Sequence, residues 1–144
     1  MVKETIYIDG KRCVMGRLAS FAAKEALEGK NVIIVNSEEV VLTGSRSHVV
    51  GNYKKRMKKI GYRHKGPFWP RRPDDILRRA IKRMLPYKKP RGSKAFKGIK
   101  TYIGIPEKFA EVNFKKYPKA KLHEDESKFV KLKNLSKEVG GFNE

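Results

Sequence analysis

Apolar and polar positions change period several times along the chain, and each change marks an element. Ile6, Tyr7 and Ile8 form a short apolar run closed by Asp9-Gly10, a turn pair, which predicts a strand over Thr5 to Asp9. From Met15 the spacing becomes helical. Met15, Leu18, Ala19, Ala22, Ala23, Ala26 and Leu27 fall on one face at a 3.6-residue period, with Arg17, Lys24, Glu25 and Glu28 opposite. Gly29 supplies the stop, so the pattern predicts a helix of about thirteen residues whose small-residue face lies close on a sheet. Gly16 is read as a close backbone approach at its start. Asn31-Val32-Ile33-Ile34-Val35 is an unbroken β-branched run, the mark of a central strand covered on both faces. Strand, helix, strand predicts a right-handed crossover unit. Ser37 reads as a cap, with Glu38 and Glu39 in the acidic first turn of a short helical piece through Leu42.

A second helix is predicted after Thr43-Gly44-Ser45, with Val49, Val50, Tyr53, Met57 and Ile60 on its apolar stripe and Arg46, His48, Lys54, Lys55, Arg56, Lys58 and Lys59 on its other faces. Residues 61 to 72 have no period and read as a long loop of glycine, proline, aromatic and basic residues. Pro73 then occupies a first helical position, and Asp74 and Asp75 suit the positive end of the helix dipole. At 100° per residue, Ile76, Leu77, Ala80, Ile81, Met84 and Leu85 share one half of this helix, while Arg78, Arg79, Lys82 and Arg83 share the other. Pro86 ends it. Ser93 reads as the cap of a short helix with Ala95, Phe96 and Ile99 inward and Lys94, Lys97 and Lys100 outward. Thr101 to Gly104 reads as a third strand, and Pro106, Glu107 and Phe109 as the start of a short helix. Lys128 to Leu132 reads as a further strand, and Ser136 to Val139 as a helical turn. No internal repeat and no second domain stand out, so residues 1–144 read as one α/β domain.

Charge sharpens this picture. The chain carries 35 Lys/Arg against 15 Asp/Glu, a net +20. Residues 54 to 100 hold 19 of those cations and only two acids, a net +17 within 47 residues. Like charge concentrated this way works against the compact state unless a polyanion lies on it. A membrane-surface segment would be a basic amphipathic helix, which the prolines and glycines of residues 61 to 73 exclude. Aromatic planes interleaved with guanidinium groups suit nucleic acid instead: bases stack on the former and phosphates accept forked hydrogen bonds from the latter. The single cysteine forms no internal disulfide and points to a reducing compartment; no run is long and apolar enough for a membrane span, and no secretory signal is visible. The expectation is a soluble, cytoplasmic protein.

Catalytic chemistry finds no constellation. The nucleotide-loop spacings G-x-G-x-x-G and G-x-x-x-x-G-K-[ST] are absent, and His48, His64 and His123 have no companions at metal-ligand spacing. Cys13 reads as a small apolar filler unless a histidine activates it. Asp74 and Asp75 diverge by about 100° on a helix and are accounted for by its dipole. No cofactor and no small-molecule substrate are expected. Arg17, at a helix start whose free amides favour anions, is a further phosphate candidate.

The same residues form a familiar succession. Gly16-Arg17-Leu18-Ala19-Ser20, Ile33-Ile34-Val35-Asn36-Ser37-Glu38, Leu42-Thr43-Gly44, Tyr62-Arg63-His64-Lys65-Gly66, Arg72-Pro73, Met84-Leu85-Pro86 and Tyr102-Ile103-Gly104 resemble, in order and separation, the large-subunit ribosomal protein L-thirteen family over residues 5 to 105. The segment Gly66 to Arg71, the different tail after Gly104, and the lack of the bacterial branch's leading extension and of its insertion before the second strand resemble the archaeal and eukaryotic branch. The resemblance implies a three-layer α/β fold, a small mostly parallel sheet flanked by helices with basic loops and a basic helical extension. It implies a family core over 5–105, a branch-specific tail over 106–144 packing on it, and a structural constituent of the cytoplasmic large ribosomal subunit. Its partners would be large-subunit ribosomal RNA and neighbouring ribosomal proteins, with no membrane and no catalysis.

The RNA-contact residues expected are Arg17, Arg46, Lys54, Lys55, Arg56, Lys58, Lys59, Arg63, Lys65, Arg71, Arg72, Arg78, Arg79, Lys82, Arg83, Lys88, Lys89, Arg91, Lys94 and Lys97, with Tyr62, His64 and Trp69 as stacking groups. Most would meet phosphate and sugar. A free-standing RNA- or DNA-binding module and a nucleotide-dependent RNA-modifying enzyme share parts of the pattern and stay open at this point.

Overall fold

The computed structural model describes residues 3–58 and 68–141. Three parallel strands form its centre: β1 (Thr5–Asp9), β2 (Asn31–Val35) and β4 (Ile99–Thr101), in the order β1-β2-β4. Thr5 pairs with Asn31 and Asp9 with Val35 on one side of β2, while Val32 pairs with Ile99 and Ile34 with Thr101 on the other. The β-branched run is thus the middle strand, with Val32, Ile34 and Val35 fully buried.

Helix α1 (Met15–Leu27) follows β1 and buries Leu18, Ala19, Ala22, Ala23 and Ala26, the small-residue face that the period predicts. Helices α2 (Arg46–Lys58), α3 (Pro73–Arg83), α4 (Pro90–Lys97) and α5 (Leu132–Glu138) complete the layers around the sheet, giving a three-layer α/β fold. Ile76, Leu77 and Ile81 of α3 share one core with Leu18 and Ala22 of α1, Ile8 of β1 and Leu132 and Leu135 of α5.

Several boundaries differ from the pattern reading. Ser37 does not cap a helix reaching Leu42. Ser37–Glu39 is one 3-10 turn, entered through Asn36 in the left-handed region (φ 55°), and the Ser37 hydroxyl is buried without a partner among the described residues. Residues Val41–Thr43 are instead a strand, β3, paired antiparallel with β5 (Phe129–Lys131) in a second, two-stranded sheet. Helix α4 begins at Pro90, whose ring pre-sets the first helical φ. Ser93 therefore lies inside the helix, its amide donating to the Lys89 carbonyl at 3.0 Å, and Ile99 already belongs to β4. Nothing approaches the space beside Gly16, so no close contact requires a glycine there. Helix α5 starts at Leu132, earlier than the turn read at Ser136.

Beyond β4 the chain returns across the open edge of β1. The Lys115 amide donates to the Tyr7 carbonyl at 2.7 Å, the Val14 amide to the Ala120 carbonyl at 2.8 Å, and the Leu122 amide to the Arg12 carbonyl at 2.9 Å. The first of these bonds pairs one position of the β1 edge, and the other two tie the chain to the turn that follows β1. Tyr117 stacks on Phe21 at 4.9 Å between ring centroids.

Candidate nucleic-acid interface

The basic middle segment is held by aromatic rings of the chain itself. Helix α3 packs Ile76, Leu77 and Ile81 into the core, which turns Arg78, Arg79, Lys82 and Arg83 outward. The outward arc is not uniformly solvated. Arg78, Arg79 and Lys82 are half-buried and Arg83 is exposed, while Met84, assigned by its spacing to the apolar half, is 45% exposed. The Arg78 guanidinium lies 4.1 Å from the centroid of Phe96 on α4, and its Nε donates to the Ile99 carbonyl at 3.4 Å. Lys82 Nζ lies 5.6 Å from Phe96 and 5.0 Å from Tyr87.

Trp69 is the second anchor. Arg79, Arg83 and Arg56 lie 4.0, 5.1 and 5.7 Å from its ring centroid, so one indole gathers cations from both α2 and α3. Its edge meets Tyr53 at 5.9 Å, and the Tyr53 hydroxyl donates to the Pro70 carbonyl, fixing residues 69 and 70 on α2. Burial pushes the Tyr53 phenol up to about 12 even though Arg79 and Arg56 pull the other way. Trp69 is half-buried against the core, where the sequence reading makes it a stacking group for RNA. Its ring also lies within 5.7 Å of three guanidinium groups.

The remaining residues divide into paired and unpaired cations. Arg17 bonds Glu126 at 3.4 Å, Arg46 pairs with Glu138, and Arg72 lies 3.5 Å from Asp74. Lys54, Lys55 and Lys58 on α2, Arg71 before α3, and Lys88, Lys89, Arg91, Lys94 and Lys97 around α4 are exposed, with no carboxylate partner among the described residues. Lys59, Tyr62, Arg63, His64 and Lys65 lie outside the described residues. Sequence reasoning missed Phe96 and Tyr87 as platforms and Phe68, which is 64% exposed. The signal was available, since all three are aromatic residues set among cations.

Among the described residues, the groups considered for catalysis are accounted for by the fold. Cys13 is 2% exposed and burial raises its thiol pKa, the setting of an apolar filler. Asp74 is raised by burial first and by its neighbour Asp75 second. Among the described residues no group of three His, Cys, Asp or Glu stands within reach of a metal ion, and no helix is long and apolar enough to cross a membrane.

The family model for ribosomal protein L13 matches residues 3–108. The chain belongs to the ribosomal protein L13 family. Its relatives include the large ribosomal subunit protein uL13 of Methanocaldococcus jannaschii, 43% identical over 92% of this chain and 96% of that protein. The uL13 proteins of Methanopyrus kandleri and Natronomonas pharaonis are 38% and 37% identical over 96% and 94% of this chain, and over 88% and 90% of their own lengths. Of the archaeal and eukaryotic branch that the 66–71 segment and the tail resemble, these relatives are archaeal. L13 is a family of structural ribosomal proteins, and this member is not an enzyme. The matched span 3–108 takes in α2, α3 and α4, and so includes the whole of the cationic segment.

Proposed function

We propose that this L13 protein is a constituent of the cytoplasmic large ribosomal subunit that holds folded large-subunit ribosomal RNA against α2, residues 68 to 72, α3 and α4. The observation that carries the reading is the joining of three basic helices through two rings. Trp69 links Arg56 of α2 to Arg79 and Arg83 of α3, and Phe96 of α4 takes Arg78 and Lys82. Cations fixed in this way lose little further freedom on meeting phosphate, so more of each contact appears as affinity. Arg17, Arg46 and Arg72, already paired with carboxylates, contribute less than the unpaired set.

Phosphate contacts dominate such a surface and set the shape of the RNA rather than reading its bases. Neighbouring ribosomal proteins are expected against the carboxylates and exposed apolar residues away from this segment, such as Ile105 and Phe129. The test is the salt dependence of binding to large-subunit ribosomal RNA. With about eight phosphates neutralised, affinity should fall by roughly three to five orders of magnitude between about 50 and 200 mM salt. A flat response would defeat the reading.

A further inference from the structure

Between α2, α3 and α5 lies a cavity of about 400 Å³ that phosphate contacts alone do not explain. Val49, Ile76, Ala80 and Leu135 make its apolar floor, and Tyr53 and Trp69 stand in its wall. Arg56, Arg79 and Arg83 also line it, and all three guanidinium groups lie within 5.7 Å of the Trp69 centroid. None of the three has a carboxylate partner among the described residues. His48 and Asn52 also line it. The Asn52 amide nitrogen and His48 Nε2 are 3.1 Å apart, which leaves the Asn52 amide oxygen unbonded among the described residues.

We propose that this cavity receives one unpaired nucleotide of the bound RNA, its base inside and its phosphate on the arginines. The inference rests on the RNA-binding reading above and adds a specific subsite to it. Three converging like charges repel one another unless an anion sits among them. The Arg79 Nε is buried without a partner among the described residues, a donor left costly until an acceptor arrives. An isolated phosphate would satisfy these cations but not the apolar floor beside them. An apolar peptide segment would fill the floor but not the cations. A nucleotide has both parts: a flat base that stacks on aromatic and guanidinium planes, and an anionic phosphate. Bases reach such pockets from bulges and loops, where leaving the stack is least costly.

The full chain is titrated with two RNA hairpins of one stem sequence, the first fully paired and the second carrying a single bulged adenosine, at one fixed salt concentration. Trp69, the single tryptophan of the chain, reports occupancy by its emission. The bulged hairpin should bind about tenfold tighter and alone quench Trp69, the increment expected of one stacked base. Ala80→Leu, which fills the floor, should bind both hairpins equally and at the native affinity for the paired one. Asn52→Ala, at an exposed position where folding is not at risk, should lower the preference severalfold. Equal binding of both hairpins by the native protein, or an undiminished preference in these variants, overturns the subsite. If the paired hairpin still binds with steep salt dependence, the wider RNA-binding reading survives that result. If neither hairpin binds, both fall together.

Discussion

The Arg79 guanidinium lies 4.0 Å from the centroid of the Trp69 ring, and its Nη1 donates to the Phe68 carbonyl at 3.4 Å. Trp69 therefore both packs against the core and supports a cation. Trp69→Leu keeps apolar bulk and removes the indole face. It should cost about 2 kcal/mol of stability, from lost packing and lost cation–π contact together. It should also weaken RNA binding, because three guanidinium groups lose their common support. Urea denaturation followed by circular dichroism measures the first effect and filter binding the second. A variant with native RNA affinity would show that the arginines need no platform.

Arg78 and Arg83 separate stability from binding. Arg83 is exposed, so Arg83→Gln should leave the melting temperature unchanged, lower RNA affinity, and reduce the slope of log affinity against log salt by about one. Arg78 is half-buried on Phe96 and bonded to the Ile99 carbonyl, so Arg78→Gln should in addition cost about 1 kcal/mol. Replacing Arg78, Arg79, Lys82 and Arg83 together should lose roughly 2 to 3 kcal/mol. Calorimetry and a salt titration of the same variants test this division.

Glu25 accepts hydrogen bonds from Lys30, Lys115 and Tyr117, which hold its carboxyl at about 2 against an ordinary value of 4.5. A carboxylate depressed by folding stabilises fully above its unfolded pKa and loses that contribution as pH falls toward the folded one. Thermal stability should thus drop between about pH 4.5 and pH 2 more steeply in the native protein than in Glu25→Gln. Parallel curves for the two proteins would show that the tail does not depend on this carboxylate.

Gly92 sits inside α4 with its Cα against the Pro86 carbonyl, where a Cβ would collide with backbone rather than with a movable side chain. In an exposed helix, Gly→Ala stabilises by up to about 1 kcal/mol. Here Gly92→Ala should destabilise by about 1 to 3 kcal/mol, because residues 86 to 89 must shift to admit the methyl group. A thermal melt gives the sign directly, and a stabilised variant would mean that the turn yields freely.

What the sequence made legible follows the strength of each period. The run Val32 to Val35 and the alanine face of α1 could belong to little else, and both occur where the pattern puts them. β5 was read as a strand within Lys128 to Leu132, but its partner β3 was not: three residues hold too little alternation to separate a strand from a helical turn, and only the distant partner decides. Helical spacing also assigns direction but not depth. It turned Arg78, Arg79 and Lys82 away from the core correctly, yet their half-burial depends on Phe96 and Trp69, which other segments deliver. Trp69 read as a stacking group in an aperiodic loop, whereas its contact with Tyr53 and the core leaves it half-buried.

Helix α5 closes the core from far along the chain. Leu132 and Leu135 are fully buried beside Ile76, Leu77 and Ile81, the Leu132 amide donates to the Val40 carbonyl at 2.8 Å, and the Ser136 hydroxyl donates to the Arg71 carbonyl. During synthesis the arginine helix is therefore made well before its last core neighbours. Until residue 135 leaves the exit tunnel, the polyelectrolyte segment has no finished body behind it. The direction of translation thus sets an order of events: cations first, the scaffold that aims them second.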